Sequence, residues 1–442
     1  MAYSIGHDFK LGSLLQFTLP TIGMMVFLSM YSIVDGVFIA RFLGSNALSA
    51  QNIVWPVGCL GLAIGIMLAS GGSAIVARKL GEGRREESRQ DYSFLTLTTI
   101  VIAVITLIFG NLFLEPVCRA LGATDLLLQD AKDYLQVMLY FMPAMMLQCI
   151  FQTFFVTAGR PGLGLTVTVL GGITNGICDY LLMGPLHFGM KGAAAASGLG
   201  QCIPAIAGLF YFSFVKGDLQ FAKPAFSWHT LMQASFNGSS EMVTNLSNAV
   251  ITFLFNIILL EIAGEDGVAA ITIILYGQFL FTAVFFGFSQ GVAPVFSFNY
   301  GSRNDERTKR IFRICVRFIV AASAVMLVLA YTLAPYVVGI FAPPESSAYP
   351  ITLHGFYVFS VSYLFSGISI FASAMFTAFS DGRTSAMISF SRTFVFIMIS
   401  VLTLPHFLGI DGVWLSVPVA EAVTLLLTLW FLRRYRTKFH YA

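Results

Sequence analysis

Stretches of about twenty apolar residues, the length a helix needs to cross roughly 30 Å of hydrocarbon, recur along this 442-residue chain. Twelve can be marked, at roughly 13–40, 47–77, 92–118, 134–158, 163–184, 190–215, 230–261, 267–298, 311–341, 350–379, 384–405 and 411–432. Only lipid accommodates such a chain, because too little sequence remains between the runs for a water-soluble domain. Composition agrees: 57% of residues are hydrophobic, 11% are charged, and the mean hydropathy is +0.80. The sequence predicts an all-α polytopic membrane protein. Its first ten residues, MAYSIGHDFK, lead into a span too long for a signal-peptide core and without an A-x-A cleavage site, so that span is expected to be retained.

Orientation follows from the loops. With the N-terminus in the cytoplasm, twenty of the 25 Lys and Arg residues fall on the inner side, including Arg78, Lys79, Arg84, Arg85 and Arg89, the 303–317 cluster, and Arg433, Arg434, Arg436 and Lys438. Arg41, Arg119, Lys132 and Lys191 fall outside, and Arg392 lies within a span. The positive-inside rule then places both termini in the cytoplasm. The basic tail RRYRTKFH reads as an anchor to lipid headgroups; a net charge of +3 gives no reason to expect a nucleic-acid partner. The cysteines at 59, 118, 149, 178, 202 and 315 lie in or beside spans without CxxC spacing and read as small apolar fillers.

Shifting the chain by 220 residues brings its punctuation into register. Gly44, Gly71, Gly81 and Glu86 fall on Gly264, Gly291, Gly301 and Glu306; Thr157 falls on Thr377; Pro185, Gly189 and Gly192 fall on Pro405, Gly409 and Gly412. A single offset over most of the chain indicates two copies of one fold, here 1–220 and 221–442 with six spans each. An even number of spans makes the repeats parallel, related by a pseudo-two-fold axis along the membrane normal. That symmetry suits a transporter whose two bundles rock about a central cavity.

A charge at the bilayer centre costs roughly 2.5–3.5 kcal/mol on insertion scales, so each one calls for a partner or a cavity. Asp35 is the one carboxylate in SIVDGVFIARFLG, residues 32–44. In the fifth span, Asn175 and Asp179 are four apart on one helical face, above Gly171 and Gly172, which permit close helix approach. The sixth span offers Ser197 and Gln201 on a helix of small residues. If spans 1, 5 and 6 meet, Asp35, Asn175, Asp179 and Ser197 form an all-oxygen cluster suited to Na⁺ or to a shared proton. The plain alternative is a hydrogen-bonded seam that glues helices.

In the seventh span Asn237, Glu241, Asn245, Asn248 and Thr252 make one polar stripe, expected to line the interior of the second half or else a helix seam. In the fourth, Tyr140, Gln148 and Gln152 stand among methionines and phenylalanines, a mixture that suits promiscuous binding of lipophilic cations and that also occurs in ordinary cores. Arg392 is too deep to snorkel freely and calls for a carboxylate or a cavity, and Glu421 likewise calls for a partner. Pro20, fifteen residues before Asp35, lacks the N–H of a regular helix and offers a hinge.

These residues resemble the multidrug and toxic compound extrusion (MATE) family of cation-coupled efflux transporters, most closely its bacterial MepA-type branch. The resemblance rests on the Leu19-Pro20 pair followed by VDGVFIARFLGSNALSA, on QGVAPVFSFNYGSRN, on NGICDYLLMGPLHFGMKGAAAASGLGQ, on Glu241 in NGSSEM and on the six-plus-six repeat. It implies a V-shaped pair of six-helix lobes opening alternately to either side of a bacterial plasma membrane. It also implies H⁺ or Na⁺ coupling at Asp35, Asn175, Asp179 and Ser197, with Ser197 standing where family members commonly have Thr. A substrate cavity would then draw on Tyr140, Gln148, Gln152, Glu241, Asn245, Asn248 and Arg392. Expected partners are lipophilic, often cationic small molecules and membrane lipid; no cofactor, no enzymatic activity and a monomer are expected. The tenth span, FSVSYLFSGISIFASAMFTAF, has no acid, which leaves Glu241 to the second half. A lipid-linked precursor flippase of the same superfamily is the alternative, though Arg392 alone is a thin cradle for a pyrophosphate. An intramembrane aspartyl protease is more distant: it wants GxGD, and the chain has Gly176-Ile177-Cys178-Asp179.

Overall fold

The computed structural model describes residues 4–442, apart from the side chains of residues 32, 33, 37, 40, 45, 46 and 48. In chain order the helices are α1 (Leu11–Leu43), α2 (Ser45–Gly81), α3 (Arg85–Leu112), α4 (Leu114–Ala120), α5 (Leu128–Tyr140), α6 (Met142–Thr157), α7 (Pro161–Met183) and α8 (Gly189–Phe214). They continue as α9 (Trp228–Gly301), α10 (Asp305–Phe341), α11 (Ala348–Ser360), α12 (Tyr363–Ala378), α13 (Gly382–Phe390), a π-helical turn at Ser391–Val395, α14 (Phe396–Leu408) and α15 (Ile410–Phe439). Among the described residues nine helices are long and apolar enough to span a membrane, and two further spans are the bent pairs α5–α6 and α11–α12.

The 74 residues of α9 would measure about 110 Å if straight, far more than one crossing. The helix is in fact two arms joined at Gly264, whose φ of 63° and ψ of −151° are non-helical. Contacts with α2 show that it folds back. A Cβ added to Gly71 would lie 1.9 Å from the carbonyl oxygen of Ala234 on the first arm, and one on Gly81 would lie 2.1 Å from that of Phe298 on the second. Counting the arms separately gives the twelve expected crossings.

The 220-residue period is also present in the backbone. Left-handed φ values fall at Gly44 (87°) and Gly264 (63°), at Gly83 (80°) and Arg303 (53°), and at Gly189 and Gly409 (both 58°). The fourth and tenth spans, expected to be continuous, each bend by 51°, around Phe141 and around Val361–Ser362. Pro143 opens α6, where a missing N–H costs little; the matching bend has no proline, so the repeated fold sets the angle. The third span differs in its limits, breaking at Phe113 because Pro116 cannot donate to the carbonyl one turn back. Around Pro20, α1 stays one continuous helix.

Gly6, near the start of the described residues, and Phe439, near the other end, both lie close to Gly301. Arg307 donates from Nη1 to the Gly6 carbonyl (3.3 Å), and the rings of Phe439 and Tyr300 are 5.9 Å apart. At this terminal end one apolar core draws on the whole chain, from Phe9 and Phe154 to Phe296, Phe376 and Tyr441. At the opposite end the packing divides. One core runs from Ile39 to Ala194 and another from Ile251 to Ala420. The molecule is therefore united at one end and split at the other, which is the V shape. Glycines report the same asymmetry: at the united end Cβ atoms on Gly71, Gly81, Gly238 and Gly301 would strike backbone across the seam, whereas on Gly36, Gly44 and Gly264 they would meet nothing within 4 Å.

Candidate functional site

In the first half the polar centre is built where α7 and α8 cross. The backbones touch at Gly171 and Gly200, a Cβ on either lying within 2.7 Å of the other's carbonyl oxygen, and Gly172 receives the ring of Phe27 from α1. One turn further from the termini, this close approach brings the predicted quartet together. Ser197 Oγ donates to Asp35 Oδ1 (3.3 Å), and Asn175 Nδ2 donates to Ser197 Oγ (3.4 Å). Asp35 is partly exposed, whereas Asp179 is fully buried. Neither oxygen of Asp179 makes a hydrogen bond of acceptable geometry, although its carboxylate lies within interaction range of Asp35 and Asn175.

Three further residues, not singled out from the sequence, complete the cluster. Tyr31 stands one turn before Asp35, and Gln51 of α2 donates from Nε2 to the Tyr134 hydroxyl (3.0 Å) on α5. Asp35 interacts electrostatically with both tyrosines and with Gln51. Tyr31 could have been found from its i, i+4 spacing to Asp35. Gln51 and Tyr134 had no such signal. Two neighbouring carboxylates, one with unpartnered oxygens, form an all-oxygen set of the kind that suits a hard monovalent cation or a shared proton.

In the second half Arg392 Nη1 donates to Glu421 Oε1 (3.3 Å), and both side chains are buried. The Phe286 ring lies under the guanidinium, 5.7 Å from Cζ. Arg392 Nε and Glu421 Oε2 keep no hydrogen-bond partner. Glu241 is near enough to Arg392 to interact by charge. Arg392 sits in the π turn, a local irregularity that occurs disproportionately at working sites.

The remaining predicted residues are spread out. The stripe on the first arm of α9 runs from buried Asn237 to exposed Asn248 and Thr252. Asn245 Nδ2 and Thr252 Oγ1 each donate to a carbonyl one turn back (both 2.8 Å). Tyr140 is exposed beside the α5–α6 bend. Gln152 donates to Thr168 Oγ1 (2.8 Å), and Gln148 lines a gap of about 40 Å³ with Tyr31 and Gln201. The seven residues assigned to a substrate cavity thus divide between the halves, and a larger cavity of about 750 Å³ is lined by none of them.

The MatE family model matches residues 20–181 and again 242–402. A multidrug export protein MepA of Staphylococcus haemolyticus is 23% identical over 434 residues, covering 96% of this chain and 94% of its own. An FAD transporter of Shewanella oneidensis is 25% identical over 431 residues, covering 92% and 91%. Among solved structures, a crystal structure of MATE in complex with MaL6 superposes with a TM-score of 0.91 at 21% identity, covering 97% of each chain.

Proposed function

The chain belongs to the MatE family, and from that premise we propose that it is a secondary active multidrug efflux transporter of the bacterial plasma membrane, exchanging H⁺ or Na⁺ for lipophilic, often cationic molecules. Its two lobes are residues 1–220 and 221–442, its termini are cytoplasmic, and it works as a monomer. On this reading the united end faces the cytoplasm and the split end faces outward, so the structure is an outward-open state. Asp35, Asn175, Asp179 and Ser197 bind the coupling ion, Tyr31, Gln51 and Tyr134 support them, and Pro20 lowers the cost of bending α1.

The observation that carries the reading is the buried, unpartnered carboxylate of Asp179 beside Asp35, because Asp35 belongs to α1 and α1 also forms the seam between the halves. Ser29 Oγ donates to the Phe279 carbonyl on α9 (3.4 Å), and α1 continues past that point to Asp35. Cation binding changes what Asp35 prefers as a neighbour and so biases where α1 rests against α9. The bias cannot exceed the difference in cation affinity between the two states. One charge moving down 100 mV releases about 2.3 kcal/mol and one pH unit about 1.4 kcal/mol. Together these support accumulation of several hundredfold (roughly) per coupled proton.

An anionic cargo such as a flavin dinucleotide or a lipid pyrophosphate finds less support, since the buried cation Arg392 is already paired with Glu421. The test is transport of ethidium in proteoliposomes under separately imposed pH and Na⁺ gradients. Export driven by one gradient is expected. Movement indifferent to both would end the antiport reading.

A further inference from the structure

Two non-helical stretches cross between the halves at the united end: residues 215–227, which join α8 to α9, and residues 4–10, which lead into α1. The first is bonded down onto α3. Arg89 donates to the carbonyls of Gly217 (2.7 Å) and Asp218 (3.1 Å), Ser93 Oγ accepts from the Ala222 N–H (2.9 Å), and the Phe221 ring stacks on buried Tyr92 at 5.1 Å. The attachment reaches the first turn of α9, where Thr230 Oγ1 donates to Asp91 Oδ1 (3.4 Å). The linker is thus fixed to the first half along its length, up to the point where the second half begins.

Under the 220-residue shift 224–230 falls on 4–10 and α3 falls on α10, and the crossing is made again in the opposite direction. Residues 4–10 belong to the first half and lie on the second. A Cβ on Gly6 would stand 2.7 Å from the Phe298 ring, the Gly6 carbonyl accepts from Arg307 Nη1, and the Asp8 carboxylate pairs with both Arg307 (3.8 Å) and Arg310. The two attachments differ in strength. Tyr92 and Ser93 hold the linker from buried positions, whereas Asp8 and Arg310 are exposed, so water and salt compete for their pairing. Phe9 is buried, and it packs on Phe17 of α1, within its own half (5.3 Å).

We propose that residues 4–10 are a latch across the united end, with Asp8 between Arg307 and Arg310 as its bolt, and that the linker on α3 is the pivot that stays closed when the latch lets go. The proposal rests on the efflux reading, which requires the halves to part at this end in the other state. Asp8, Arg307 and Arg310 touch neither ion nor cargo; they set how often the united end opens.

The experiment is the rate at which a water-soluble thiol reagent labels Thr18→Cys in purified full-length protein lacking native cysteines. Thr18 is buried on α1 against Gly291 across the seam, so its labelling reports parting at this end. Asp8→Asn should raise the rate about threefold, the scale of a partly exposed charge pair, and Asp8→Arg should raise it further. Adding Arg310→Asp to Asp8→Arg should bring the rate back toward the parent's, a rescue that loss of packing would not allow. In proteoliposomes, bridging Asp8→Cys to Arg310→Cys with a reducible bifunctional thiosulfonate should stop ethidium export until reductant is added, and bridging Ser93→Cys to Ala222→Cys should not. Labelling unchanged in Asp8→Asn and Asp8→Arg would overturn the latch, and export arrested by the 93–222 bridge would overturn the pivot; either result leaves the efflux reading standing when the unbridged protein exports ethidium. If the unbridged protein exports none, the efflux reading falls, and the labelling rates still decide the latch.

Discussion

The polar centres of the two halves are built on the same pair of helices and do opposite things with charge. In the first half α7 and α8 contribute Asp179 and Ser197, and the carboxylate of Asp179 has no hydrogen-bond partner. In the second, the equivalent segments contribute Arg392 and Glu421, bonded to each other at 3.3 Å. The 220-residue shift sharpens the contrast: Asp35, Asp179 and Ser197 fall on Phe255, Ile399 and Val417, while Arg392 and Glu421 fall on Gly172 and Gln201. The second half has no copy of the Asp35–Asp179 cluster, and its own charged pair lies about two turns nearer the terminal end on the first of the two helices. A repeated scaffold fixes where helices cross; the chemistry is placed on it separately. A guanidinium tethered to the chain cannot be exchanged for a cation from solution, so coupling is expected to reside in the first half alone.

The largest effect should come from breaking that division. Asp179→Asn or Asp35→Asn is expected to reduce gradient-driven ethidium export at least about a hundredfold, the scale on which loss of an essential buried group is felt. The paired change Arg392→Gln with Glu421→Gln should leave the number of cations exchanged per ethidium unaltered. Reconstituted protein with a pH-sensitive dye in the lumen measures both. A change of stoichiometry in the second-half variant would show that both halves couple.

Stability should separate the halves with opposite signs. Arg392→Ala leaves Glu421 buried without its cation and should cost about 3 kcal/mol. Asp179→Asn replaces a buried acid that has no hydrogen-bond partner and should leave the melting temperature unchanged or raise it. Thermal unfolding in detergent tests this, and equal losses in the two variants would dissolve the distinction.

The smallest effect concerns ion pairs at the split end. Lys132 and Arg119, each 3.1 Å from Glu115, hold its carboxyl below the usual glutamate range. A lowered folded value means that the pairing contributes fully above the ordinary glutamate range and is lost as pH falls through the lowered one. The second half has His354 and Asp411 there instead, 2.8 Å apart. Between pH 6 and 3, Glu115→Gln should slightly flatten the decline in melting temperature. An unchanged profile would show that this pairing adds nothing.

Much of the fold was legible because burial in lipid imposes a simple length rule, and because Gly and Pro mark turns that side-chain packing does not. The quartet at Asp35, Asn175, Asp179 and Ser197 could be assembled from helical spacing and from the cost of buried charge. Gln51 and Tyr134 could not, since a single amide or phenol in an apolar span gives no hint of which helix it faces. The bends at Phe141 and Val361 were equally silent: only one has a nearby proline, and the cause is packing within the repeated unit. Arg392 was expected to meet a carboxylate or a cavity, but choosing Glu421 over Glu241 or a cavity required knowing how α15 lies against the π turn.

The crossing of α2 with the second arm of α9 has a consequence of its own. Gly81 meets Phe298 while Gly301 meets Arg78, and under the 220-residue shift these are one contact made twice, with the roles of the partners exchanged. Gly71 against Gly238 and Gly291 against Thr18 repeat the pattern. Reciprocal contact of this kind is what an isologous dimer interface shows, residue i on j and j on i. In a true homodimer every substitution would appear on both sides of the axis. Joined in one polypeptide, the two sides are free to differ, so one copy can keep the partly exposed acid Asp35 beside a buried one while the other bonds its buried charges, Arg392 and Glu421, to each other.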